Sequence, residues 1–128
     1  MSGSVRLVLD TSAILAYAAV STDVGETIAE VVDEGGSFAL PVVCLAEASR
    51  RVPEHQASGV SLLAEHPYAV VTSTPAADWR ALTEWSRILG RVDVASALFD
   101  AITHTAYVLT GEPDAYGDYK DLPVIPFD

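Results

Sequence analysis

The chain has 128 residues, of which 50% are apolar and 20% charged, with eight Gly and seven Pro. This is a globular composition, which excludes disordered, collagenous and coiled-coil classes, and its length suits one domain spanning 1–128. Eighteen Asp and Glu against seven Lys and Arg give a formal net charge of −11. Such a surface repels bare phosphate backbone and favours basic partners and divalent cations. Cys44 is the only cysteine, which excludes an intramolecular disulfide and a Cys-rich zinc site. No signal peptide is read in the first residues, and no run approaches the roughly 20 apolar residues of a membrane span. The expectation is a cytoplasmic protein that does not enter membranes.

The run from Val5 to Leu9 is apolar and ends in Asp10, as a buried strand would. Thr11 to Val20 reads as a helix. Asp23, with Glu26 three positions on, predicts the cap of a second helix striped by Val24, Ile28, Val31 and Val32 and stopped by Gly35-Gly36. Phe38 to Leu40 reads as a second strand, and Pro41 as the first-turn proline of a helix that ends at Arg50-Arg51 before Pro53. A further helix is expected over Ser58 to Glu65, and a β-branched strand over Tyr68 to Val71. Thr74-Pro75 starts a long helix with Trp79, Leu82, Trp85 and Leu89 on one side, closed by Gly90. The two tryptophans read as core or dimer contacts. Val92 to Ala106 is another helix, Tyr107 to Leu109 a fourth strand and Val124-Ile125 a fifth. Short apolar strands alternating with helices predict an α/β fold, a parallel sheet with helices on both faces.

Ligands of such sheets sit beyond the carboxyl ends of the strands. Asp10 ends the first strand, Asp93 begins the helix that feeds the fourth, and Glu112 and Asp114 follow the fourth. Glu47 stands in an otherwise apolar helix. Each acid has an ordinary reading: Asp10 as an N-cap, Glu47 as a solvent-facing residue, Asp93 as a complement to the helix dipole, Glu112 and Asp114 as turn residues. Their joint placement at one rim favours a site. Oxygen-only ligands suit Mg2+ or Mn2+, which bind phosphate substrates.

Val8-Leu9-Asp10-Thr11-Ser12-Ala13 resembles the opening motif of PIN domains, especially the VapC-type toxin ribonucleases. The run Pro41 to Ala48, with Glu47 near its end, is similar to their second motif, and Asp93 through Ala95, Ala97 and Ala101 to Val108-Leu109-Thr110 to their third. The resemblance spans nearly the whole chain. It implies a sheet in order 3-2-1-4-5 and an endoribonuclease dependent on Mg2+ or Mn2+, with Asp10, Glu47 and Asp93 as metal-binding acids. Thr11 and Ser12 match the small polar positions beside the first acid, where they would hold its carboxylate or a metal-bound water, or simply cap the helix.

The family's fourth acid is usually an Asp two residues after the Thr of the fourth strand. Glu112 stands there, with Asp114 two further on. Pro113 restricts Glu112 to extended backbone, so Glu112 is expected to be the secondary ligand and Asp114 a turn residue. Thr110 is expected to position the site. Arg50 and Arg51, with Arg87 and Arg91, are the cations expected to meet RNA phosphate, or else they solubilise helix ends. The resemblance further implies a basic antitoxin protein as partner and a homodimer, with Leu15, Tyr17 and Trp85 at its contact. Asp100 and His104 read as a surface i,i+4 pair, and Cys44 as a small buried residue.

Other classes fit less well. A receiver domain needs an acid pair at the first strand and an Asp after the third, where Val71-Thr72-Ser73 stand. A haloacid-dehalogenase-like phosphatase needs an acid where Ser12 stands. The remaining alternative is a PIN-like binding module with weak or no catalysis.

Overall fold

In the computed structural model, which describes residues 3–128, five short strands lie side by side in one sheet. The chain runs β1 (Val5–Leu9), α1 (Thr11–Ala18), α2 (Thr22–Asp33), β2 (Ser37–Pro41), α3 (Val42–Arg51), α4 (Ala57–Ala64), β3 (Ala69–Thr72), α5 (Trp79–Leu89), α6 (Val92–His104), β4 (Tyr107–Thr110) and β5 (Val124–Pro126). All neighbours are parallel, in the order β3-β2-β1-β4-β5. This is the order that the resemblance implies, and it puts β1 at the centre with connections crossing on both sides. Register pairs Leu9 with Leu109, so Asp10 and Thr110 leave the sheet at the same level.

The central strands are buried on both faces over residues 7–9, 38–40 and 108–109, which is why these read as apolar runs. Leu7, Val8, Leu9, Phe38, Leu40 and Leu109 are all at or below 2% exposure. The small residues Ala97 and Ala101 of α6 are fully buried, so that helix lies close against the sheet. A Cβ added to Gly59 would stand 2.9 Å from the Cα of Ala18, and the missing side chain lets α4 close on α1.

Several local expectations are corrected. Helix α1 stops at Ala18, because the chain turns through Val20 with φ at 64°. Ser21, not Asp23, caps α2: its hydroxyl accepts from the Val24 N–H at 3.3 Å. Pro41 belongs to β2 and immediately precedes α3. Helix α5 begins only at Trp79, after a single 3₁₀ turn over Ala76–Asp78 that follows Pro75. The edge strand β3 leaves Val70 and Val71 exposed, so its β-branched residues record strand propensity rather than burial. Trp85 packs against Phe99 at 5.3 Å between ring centroids, whereas Trp79 is exposed beneath the Arg80 guanidinium and is not a core residue.

Asp100 is also corrected. It is buried, and its carboxylate accepts a hydrogen bond from the Thr72 hydroxyl at the end of β3, while His104 stays exposed. Asp93 and Asp100 are two helical turns apart on one face of α6. The face that turns Asp93 inward therefore turns Asp100 inward as well.

Candidate metal centre

The carboxyl ends of β1 and β4 and the start of α6 meet in one acidic corner. Asp10 is 3% exposed and plays two parts at once. As the N-cap of α1, its Oδ1 accepts from the Ala13 N–H at 3.0 Å. The same oxygen accepts from the Ser12 hydroxyl at 2.6 Å, and Oδ2 accepts from the Tyr116 hydroxyl at 2.8 Å. Burial pushes the Asp10 carboxyl up from its ordinary value, against the pull of these donors.

Thr11 points away from Asp10 and holds the second acid: its hydroxyl donates to Asp93 Oδ2 at 2.7 Å. Burial alone would push Asp93 up, but the Arg91 guanidinium and the Thr11 hydroxyl outweigh it and hold the carboxyl below the usual range. Arg91 donates through Nε to Asp93 Oδ1 at 3.1 Å and through Nη2 to Oδ2 at 2.8 Å. Its third edge, Nη1, donates to Glu112 Oε2 at 3.1 Å.

Ser12 and Thr110 bind the two strand ends together. The Ser12 and Thr110 hydroxyls are 3.3 Å apart, and Ser12 Oγ also accepts from the Gly111 N–H at 2.8 Å. Thr110 is fully buried, and its Oγ1 accepts from the Glu112 N–H at 2.9 Å. The turn over Pro113–Tyr116 then carries Tyr116 back over Asp10, and leaves Asp114 exposed.

Glu47 approaches from the facing helix. With Val43, Ala46, Arg91, Val92 and Asp93 it lines an open cleft of about 530 Å³. Its carboxylate is held by Arg50 of the same helix, at 3.0 Å from Nε and 2.7 Å from Nη2, and this pairing lowers its pKa. Arg50 is thereby engaged, and Arg51 is exposed at the end of α3. Beneath the cleft, the buried Cys44 thiol donates to the Asp93 carbonyl at 3.2 Å; burial and the nearby acids push the thiol pKa up, away from reactivity.

Among the described residues, no three His, Cys, Asp or Glu side chains are arranged to hold a metal ion. The acids are instead paired with arginines: Arg91 bridges Asp93 and Glu112, and Arg50 pairs with Glu47. The donor set itself fits a hard cation. It consists of carboxylate and hydroxyl oxygens, without sulfur or imidazole. Tyr116 is the residue that sequence reasoning missed, while Arg91, expected to meet RNA phosphate, is paired with Asp93 and Glu112. Arg91 stands two residues before Asp93, which is a visible signal. Tyr116 lies 106 residues from Asp10, and no local pattern joins them.

No family model matches the chain, and no curated protein sequence matches it. A solved structure does. The crystal structure of VapBC2 from Rickettsia felis bound to a DNA fragment from their promoter superposes with a TM-score of 0.71 at 15% identity, over 96% of this chain and 99% of that one. The likeness establishes a shared PIN-like fold. No helix among the described residues is long and apolar enough to cross a membrane.

Proposed function

We propose that this chain is the toxin of a toxin–antitoxin pair, a VapC-like endoribonuclease that uses Mg2+ or Mn2+. The observation that supports the reading is the linkage of three acids at the carboxyl rim of a PIN-like sheet: Thr11, next to Asp10, binds Asp93, and Arg91 bridges Asp93 to Glu112. Glu47 shares an open cleft with Asp93 and Arg91.

Asp10, Asp93 and Glu47 would hold the ion, with Glu112 as the secondary ligand. A bound ion of this kind supplies Lewis acidity to the scissile phosphate and acidifies the attacking water. The protein's own contribution is orientation. Ser12 and Tyr116 fix the Asp10 carboxylate from opposite sides, and Thr11 fixes Asp93. Thr110 ties the Glu112 backbone to the end of β4. Arg50 and Arg51, at the end of α3, would meet RNA phosphate.

The partner would be a basic antitoxin segment, matched to a chain of net charge −11. A homodimer, at a site of action in the cytoplasm, completes the reading.

One observation favours the rival reading of a binding module without catalysis: Arg91 already neutralises part of the acidic corner. RNA cleavage separates the two. The wild-type chain should cut RNA with Mg2+ or Mn2+ and stop in EDTA. Asp10→Asn retains an N-cap side chain and removes the charge. It should lower cleavage by more than the roughly 10–100-fold typical of losing a partner around a metal site. Metal-independent cleavage, or full activity in Asp10→Asn, would remove the nuclease assignment.

A further inference from the structure

Two arginines in this corner pair with acids, in different ways. Arg50 pairs with Glu47 three residues away along an exposed helix, and its side chain is 70% exposed. Such surface pairs are commonplace. Arg91 instead joins acids from two segments, the start of α6 and the loop after β4, with its side chain 35% exposed and that of Asp93 only 9% exposed. It sits at the N-cap of α6, directly after Gly90, whose φ of 82° turns the chain so that Arg91 starts at the rim of the cleft. All three nitrogens of its planar fork are spent on carboxylate oxygens. A bidentate pair of this kind is among the stronger polar contacts a protein makes.

One guanidinium does not balance the corner. Asp10 receives only neutral donors, from Ser12, Ala13 and Tyr116. The acids therefore outnumber the cation placed among them, and the excess negative charge attracts a stronger one.

We propose that Arg91 is a cation held in cis over the acidic site, and that a divalent ion gains Asp93 and Glu112 only by displacing it. This rests on the metal-site reading above. Arg91 thus sets how much free metal the protein needs. It keeps the carboxylates apart and paired at low metal, and swings towards solvent as they turn to the ion. The exchange requires no change in the fold, because the fork is partly exposed and is held only through its side chain.

The test is Mn2+ binding to the full-length chain by titration calorimetry, with no RNA present. Arg91→Gln should bind Mn2+ about tenfold or more tightly than wild type, since the competing charge-assisted hydrogen bonds are gone. Arg91→Lys keeps the charge but loses the fork, and should fall between them. Asp93→Asn should abolish binding in either background. Equal or weaker binding by Arg91→Gln, with binding still dependent on Asp93, overturns the role of Arg91 and leaves the metal site standing. No Mn2+ binding by any of these chains overturns both. A second measurement needs no variant: the Arg91 Nε–H proton resonance of the wild-type chain should lose its exchange protection as Mg2+ is added. Unchanged protection at saturating Mg2+ would also overturn the exchange.

Discussion

Asp10 is held by residues of two kinds, near and far. Ser12 and Ala13 are its neighbours in sequence, and any Asp heading a helix finds such donors. Tyr116 is not a neighbour, and its buried hydroxyl approaches the oxygen that the helix terminus leaves free. Tyr116→Phe removes that donor and leaves a buried carboxylate oxygen without it, at a cost of about 1–3 kcal/mol. Burial already raises the Asp10 pKa, and losing the tyrosine raises it further. The folded chain then binds a proton that the unfolded chain has released. Stability of the variant should fall as pH rises through the carboxylate range and recover on acidification. Melting curves across pH check this, and the pH profile of cleavage should move upward. An unshifted profile would reduce Tyr116 to a packing residue. The position of Asp10 and Glu112 just past the strand ends was legible in the sequence, because each directly follows a short apolar run or its turn. Their partners were not. Thr11 reads as a companion of Asp10, yet it holds Asp93, 82 residues away.

At the level of elements, the strands were legible because burial on both faces leaves apolar runs at residues 7–9, 38–40 and 108–109. Boundaries were less so, since a side chain such as Ser21 or Asp23 can cap equally well until the turn before it is known. Helix α6 shows where two sequence rules compete. The i,i+4 spacing sets Asp100 beside His104 in solvent, while the 3.6-residue period sets it beneath Asp93, and the period prevails. Asp100 thus ties α6 to the end of β3 through Thr72. Burial raises its pKa, partly countered by the Thr72 hydroxyl and by His104. Its ionised form therefore weakens the fold at neutral pH, and the penalty fades as pH falls through the carboxylate range. Asp100→Asn keeps an acceptor for Thr72 and cannot ionise. It should melt higher than wild type at pH near 7 and lose that advantage at about pH 4. The opposite trend would mean that the carboxylate is stabilised in its ionised form.

The whole molecule carries a charge of −11, and under the proposed nuclease reading it would have to draw RNA to itself against its own field. On that reading the acidic corner would supply the means, since divalent ions gathered there would reverse the local sign. RNA affinity measured with the cleavage-deficient Asp10→Asn chain should be at least about tenfold weaker in EDTA than in Mg2+, a difference of ~1.4 kcal/mol. Tight RNA binding in EDTA would place the binding surface elsewhere. The sheet has a further consequence, in time rather than space. Its central strand is the first made, but the strand beside it, β4, and the tyrosine that steadies Asp10 come from the last part of the chain. While a ribosome still encloses those residues, Asp10 has neither its neighbouring strand nor its distant donor. At about 5–20 residues per second, the chain therefore spends seconds without the contacts that the proposed activity would need. The acidic corner can close only once Tyr116 has emerged, so the arrangement around Asp10 is completed late in synthesis.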